Sequence, residues 1–365
     1  MVDYNQKIKE LQDELKKTKY NKATQGHIGI VKAKIAQLRG QQETRSQKKT
    51  GRSEYGYTVR RSGDGTVLLL GFPSSGKSTL LNKLTNQESE VAAYAFTTLT
   101  VIPGMLDYKQ AKIQILDVPG IVSGAASGTG RGQEVLAVIQ TADLVVILVD
   151  VQHPEHYPAI LREVWESRIR LNKTKPQVWI KKKSKGGIQI GKTVPLEIDD
   201  DTLKKVLREF RINNADVLIR SKIDLDDFID CIEQNRKYIP AITCVSKADL
   251  ADEKKLKEIM KKVNADLAVS AEQQVNLEEL KELIFKKLDF IRIYLKEPGK
   301  DADMNVPMII FRGATINDVC NKTHQSFASR FKFARVWGKS AKFNAQKVML
   351  KHVLQDQDIL EIHLR

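Results

Sequence analysis

Short apolar runs recur through the middle of the chain at Val67–Leu70, Lys112–Leu116, Leu144–Val149, Ala241–Val245 and Leu267–Val269. Runs this short and this rich in Val, Ile and Leu suit strands covered on both faces, and the longer intervals between them accommodate helices. The alternation predicts an α/β domain over residues 65–289 with a mainly parallel sheet, whose ligand lies at the carboxyl ends of the strands. Upstream, Ile8, Leu11 and Leu15 form one helical stripe and Ile28, Val31, Ile35 and Leu38 another. A break at Asn21–Gly26 makes residues 1–45 a helical hairpin, and polar residues 46–64 read as a linker. The hairpin's apolar faces are open to three partners: each other, the central domain or another molecule.

The interval from Asp150 to Ala241 is too long for a single helical crossover, so it holds an inserted α/β element, at about 165–238. Within it, Trp179–Ile190 reads as a small hairpin turning at Gly186-Gly187, and Asp199–Phe210 as a helix. Residues 290–365 predict a β-grasp-like unit. Its strands are Ile291–Leu295, Val306–Phe311, Ala334–Trp337 and Asp358–Leu364. A helix follows Thr315, capped with help from Asp318, with Val319, Thr323 and Phe327 at four-residue spacing. Nothing in this last unit looks catalytic; it reads as a binding module.

The chemistry concentrates where strands end. Gly71-Phe72-Pro73-Ser74-Ser75-Gly76-Lys77-Ser78-Thr79 lies between an apolar strand and a helical segment, the setting of a phosphate-binding loop. Gly71 and Gly76 let the backbone amides curl inward, Lys77 reaches the terminal phosphates, and Ser78 is placed to ligate the accompanying Mg2+. Asp117, in Asp117-Val118-Pro119-Gly120, sits at a strand end where it can hold a magnesium-bound water. Gly120 can bring its N–H to the γ-phosphate, so the glycine-rich loop with Gly124, Gly128, Gly130 and Gly132 reads as a switch. In Tyr94–Thr100 a threonine hydroxyl, Thr98 in preference to Thr97, completes the metal shell. The candidate catalytic set is therefore Lys77, Thr98 and Gly120, and the metal set Ser78, Thr98 and Asp117.

For the base, Ser246-Lys247-Ala248-Asp249 and Ser270-Ala271 resemble the NKxD and SA elements of GTPases. The Asp249 carboxylate can accept both N1–H and N2–H of guanine, donors that adenine does not offer in that arrangement. Ser246 stands where Asn is usual, which weakens loop support without removing the guanine preference.

Composition adds a partner. The net charge of +15 exceeds what binding a small anion requires, and points to RNA or ribosome contact. The basic residues cluster at Lys7–Lys22, Arg45–Arg52, Lys181–Lys185 and Arg330–Lys351, the last interleaved with Phe331, Phe333 and Trp337. No apolar stretch approaches a bilayer span, and Cys231, Cys244 and Cys320 are too scattered for a disulfide framework or metal cluster. His153 and His156 read as a solvated loop rather than a metal pair. A cytosolic protein is expected.

The phosphate loop, Tyr94-Ala95-Phe96-Thr97-Thr98-Leu99-Thr100, Asp117-Val118-Pro119-Gly120-Ile121 and Gly128-Thr129-Gly130-Arg131-Gly132 closely resemble the Obg-related developmentally regulated GTP-binding proteins, the DRG family. Asn21–Thr24, Lys181–Gly187, Arg236–Pro240 and Trp337-Gly338 carry the resemblance across the chain. It implies a helix-turn-helix N-terminus, a GTPase domain with an inserted α/β element, and a C-terminal TGS domain of ubiquitin-like shape. It also implies association with translating ribosomes and with a DRG family regulatory protein. Ile121 occupies the position of the water-orienting glutamine of Ras-like enzymes, so slow hydrolysis is expected, raised by a partner, the ribosome or a monovalent cation. Potassium is the candidate cation by family resemblance, although Ser74 stands where many potassium-stimulated GTPases carry an Asn ligand. Two other readings remain open: an Obg-like ATPase, made feasible by Ser246, and an RNA- or ribosome-binding scaffold with negligible turnover.

Overall fold

The computed structural model describes residues 4–19, 21–50, 62–85, 102–118, 139 and 141–365. In chain order the elements begin α1 (Tyr4–Lys17), α2 (Gln25–Thr50), β1 (Gly65–Leu70), α3 (Lys77–Thr85), β2 (Ile102–Tyr108), β3 (Ala111–Asp117) and β4 (Leu144–Asp150). There follow α4 (Tyr157–Glu166), β5 (Ile169–Leu171), β6 (Val178–Lys182), β7 (Ile188–Lys192), α5 (Asp200–Glu209), β8 (Ala215–Ile219), α6 (Leu225–Glu233) and β9 (Lys237–Ile239). Next come β10 (Ala241–Ser246), α7 (Glu253–Val263), β11 (Leu267–Ala268), α8 (Leu277–Leu288), β12 (Phe290–Lys296) and β13 (Met308–Phe311). The chain closes with α9 (Ile316–Thr323), α10 (Gln325–Arg330), β14 (Phe331–Trp337), β15 (Gln346–Val348) and β16 (Asp358–Leu364). Two compact units result, one drawn from Met1–Gly56 and Lys173–Tyr238, the other from Tyr57–Asn172 and Ile239–Arg365. No helix among the described residues is long and apolar enough to cross a membrane.

The larger unit contains a six-stranded sheet in the order β11-β10-β4-β1-β3-β2. All its pairings are parallel except that of β2, which runs antiparallel to β3 at one edge. Alternate residues feed two cores: Leu68, Leu70, Val145 and Ile147 pack in one, and Val67, Leu69, Val146 and Leu148 in the other. Burial on both faces is why these strands read as unbroken apolar runs. A second, five-stranded sheet, β13-β12-β16-β14-β15, completes the unit. Phe290 joins the two, its ring 5.8 Å from Phe285 on α8 and 5.1 Å from Phe311. Lys322 Nζ adds a 2.6 Å bond to Asp64 Oδ1.

In the smaller unit, α2 lies along α5 through Gly29, where a β-carbon would come 3.0 Å from the Val206 side chain. Ile28 joins the core of Leu203, Val206 and Phe228, whereas Val31 and Ile35 pack with Ile8 of α1. The two apolar faces of α2 thus have different partners: the preceding helix and the inserted element. Asp199 caps α5 by accepting from Thr202 N at 2.6 Å, and Asp224 and Asp227 form a reciprocal cap on α6.

Four sequence expectations change. Trp179–Ile190 is not a hairpin, because β8 lies between β6 and β7, antiparallel to the first and parallel to the second. The apolar alternation of Ala215–Ile219 makes β8 the central strand, and the turn at Gly186 (φ 106°) and Gly187 (φ 72°) spans two strand spacings instead of one. Strand β2 went unread because Pro103 and Gly104 interrupt its pattern; Pro is tolerated there because β2 is an edge. The helix after Thr315 has its Thr315–Asp318 cap but ends at Thr323. His324 adopts an extended backbone and its ring nitrogen caps the separate helix carrying Phe327. Finally, α2 continues to Thr50, past the linker start expected at residue 46.

Candidate functional site

The parallel strands of the six-stranded sheet end on one edge, and the polar residues singled out above gather there. Gly71 follows β1, Asp117 closes β3, Ser246 closes β10 and Ser270 follows β11. Thr97, Thr98, Pro119, Gly120, Ile121 and the glycine-rich loop after them lie outside the described residues.

The two glycines of the phosphate loop serve different needs. A β-carbon on Gly71 would come 2.7 Å from the Leu148 carbonyl oxygen and 2.5 Å from Ser75 Oγ, so the strand can pass only without one. Gly76 has φ 86°, the left-handed region that glycine enters freely. Ser74, at φ 65°, takes the same region at a steric cost, a strain that clusters at functional loops. Helix α3 then starts at Lys77 and points its N-terminal amides and dipole into the loop.

Lys77 is buried, and its Nζ donates to the carbonyl oxygens of Gly71 at 3.0 Å and Phe72 at 2.8 Å. Burial pushes its pKa down, while the nearby Asp117 charge pulls it partly back. An ammonium with depleted hydration and, among the described residues, only carbonyl partners gains strongly from phosphate oxygens. Beside it, Ser78 Oγ donates to Asp117 Oδ2 at 2.6 Å. The other oxygen, Asp117 Oδ1, is buried and has no hydrogen-bond partner among the described residues; Ser75 Oγ is in the same condition. A buried acceptor left unpaired costs about 1–3 kcal/mol, so orphaned atoms beside a phosphate loop fit a hydrated divalent cation and its polyphosphate.

On the base side, Lys247 adopts a left-handed backbone (φ 56°, ψ 42°) and its Nζ pairs with Asp150 Oδ2 at 2.8 Å. Ser246 is buried, its hydroxyl donating to the Val149 carbonyl at 3.3 Å. Ala248 N bonds Val269 O at 3.1 Å, tying this loop to the buried Ser270 and the half-buried Ala271. Asp249 is exposed, on the short turn Ala248–Leu250. A cavity of about 360 Å3 brings Phe72, Pro73, Ser74 and Ser75 together with Asp150 and Lys247. Asp249, Ser270 and Ala271 stand outside its lining.

Two features of this cavity escaped sequence reasoning. Asp150 belongs to no motif, and its only signal was an acidic residue closing the apolar run Leu144–Val149. The other is the wall formed by Phe72, whose ring stacks on His156 at 4.0 Å, with His153 stacked on that in turn at 5.2 Å. His153, Glu155 and His156 place one ligand atom each within 4.8 Å of one another, the first two exposed and His156 half-buried.

Three family models match in succession: a 50S ribosome-binding GTPase over residues 66–183, the C-terminal region of that domain over 185–290, and a TGS domain over 291–364. An uncharacterized GTP-binding protein of Methanocaldococcus jannaschii is 52% identical, the alignment covering 100% of this chain and 94% of the relative. A developmentally-regulated GTP-binding protein 1 homolog of Dictyostelium discoideum is 44% identical over 98% of each chain. A protein of Saccharomyces cerevisiae called ribosome-interacting GTPase 1 is 42% identical, again over 98% of each.

Proposed function

This chain belongs to the developmentally regulated GTP-binding protein family, and from that premise we propose that it hydrolyses GTP slowly to GDP and phosphate as a cytosolic switch on ribosomes. The observation that carries the hydrolytic reading is the Ser78–Asp117 pair beside Lys77, with Asp117 Oδ1 buried and without a hydrogen-bond partner among the described residues. Ser78 and Asp117, joined by Thr98, would hold Mg2+, which would supply neutralisation of the phosphate charge. Lys77 exchanges two carbonyl partners for phosphate oxygens, Gly120 presents its N–H to the γ-phosphate, and the α3 amides hold the phosphate chain. Ser246, Lys247, Asp249, Ser270 and Ala271 form the base side, with Asp249 accepting from guanine.

With Ile121 in place of a water-orienting side chain, this chain alone gives slow turnover, and stimulation comes from outside: a ribosome, a DRG family regulatory protein or potassium. The name of the yeast relative supports the ribosomal partner, as does the +15 net charge. Steady-state hydrolysis of GTP and ATP, in sodium and then potassium buffer, with and without ribosomes, tests the whole reading. GTP turnover raised by ribosomes is the expected result. Equal rates in sodium and potassium remove the cation, ATP preference turns the reading to an ATPase permitted by Ser246, and no turnover under any condition leaves a nucleotide-stabilised scaffold.

A further inference from the structure

Lys247 takes a backbone conformation unfavourable for any residue with a β-carbon; backbone bonds from Ala248 N to Val269 O and Leu250 N to Lys247 O fix the turn, and the neighbouring strand engages its side chain. Asp150 closes β4 with a side chain only 10% exposed and both oxygens engaged: Oδ2 with Lys247 Nζ at 2.8 Å and Oδ1 with Gln152 N at 2.9 Å. Backbone bonding joins the same strand ends, Val151 N donating to Ser246 O at 3.2 Å. The Ser246 hydroxyl is committed to Val149 O, so the side chain that would be an amide in the usual motif contributes no tie toward the phosphate loop. Lys247 and Asp150 face Ser74 and Ser75 across the shared cavity.

We infer that Asp150 is a positioning residue for guanine recognition: by clamping Lys247 it sets the direction in which the chain leaves for Asp249, the support an amide at 246 would otherwise supply. Resting on the guanine reading of Asp249, the inference adds a determinant from outside the recognition loop. Loss of the clamp lets Lys247 relax toward an ordinary backbone conformation and swings the following two residues, so the loss falls on base discrimination before phosphate binding.

The test is the ratio of affinities for GDP and IDP, which lacks the 2-amino group that Asp249 reads, measured by competition with a fluorescent GDP analogue. The wild-type protein is expected to favour GDP by about tenfold, the scale of one lost hydrogen bond to a charged acceptor. Asp150→Ala should bring that ratio to within about threefold of unity, with affinity of the folded protein falling more for GDP than for IDP. Adding Ser246→Asn to Asp150→Ala should restore the ratio. An unchanged ratio in Asp150→Ala overturns the inference; so does an equal loss for GDP and IDP accompanied by a fall in melting temperature, which marks a merely structural residue. Should Asp150→Ala not fold, Asp150→Asn keeps an acceptor for Gln152 N while removing the charge that holds Lys247. Its ratio is expected to fall part-way, and no fall overturns the inference. Equal wild-type affinities for GDP and IDP would instead sink the guanine reading itself.

Discussion

Strand β4 is buried at all seven positions, whereas β6 exposes Trp179, Lys181 and Lys182 while Val178 and Ile180 pack inward. A strand covered on both faces can offer chemistry only where it ends, and β1, β3, β4 and β10 place their functional residues at or just beyond the carboxyl terminus. A strand with one open face offers it along its whole length. On β6 and the turn that follows, Lys181, Lys182, Lys183 and Lys185 are exposed, and Arg220 lies 5.2 Å from the Trp179 ring centroid. The first arrangement converges on one small ligand; the second suits a long polyanion, where charges act additively and stacking tolerates sequence.

Breaking the smaller unit's core should have the largest effect. Phe228 is fully buried there, and Phe228→Ala is expected to cost about 3–5 kcal/mol in urea unfolding monitored by fluorescence, while GTP affinity of the folded protein changes less than about twofold. Lys77→Ala should do the reverse, lowering GTP affinity roughly 100-fold in equilibrium titration with little change in melting temperature. Next, if the open face of β6 carries the proposed RNA contact, alanine at Lys181, Lys182, Lys183 and Lys185 together should leave GTP binding intact and flatten the salt dependence of RNA binding. On single-stranded RNA the slope should drop by about 0.7 for each phosphate that a lysine no longer neutralises. A loss of GTP affinity in that variant would erase the division between end-on and face-on chemistry.

The smallest effect is a fraction of a proton. Burial lowers the pKa of Lys77 in the free protein, and phosphate favours its charged form, so binding raises that pKa again. Between the two values GTP binding takes up a proton and weakens as pH rises. Calorimetry at pH values stepped up toward the ordinary lysine range, in buffers of different ionisation enthalpy, should show net uptake that disappears in Lys77→Ala.

Local chemistry made half of this legible from residues alone. A phosphate loop is contiguous, so Gly71–Thr79 was readable from spacing, and strand ends such as Asp117 followed from the apolar runs before them. What failed was information held across strands. The position of β8 between β6 and β7 depends on residues some thirty positions away. Asp150 acquires its role only when β4 lies beside β10, where Asp150 pairs in register with Ser246. The Pro103-Gly104 pair concealed β2 because propensity describes an average strand, and an edge tolerates what a central strand does not.

The packing of α2 against α5 also sets an order in time. Gln25 and Gln37 each bond backbone oxygens 172 residues further along, at Glu197 and Glu209. At about 5–20 residues per second, an emerging α2 waits on the order of ten seconds or more for that partner. Throughout that interval the nascent hairpin presents Ile28 uncovered, so the face of α2 that meets α5 packs later than the face that meets α1.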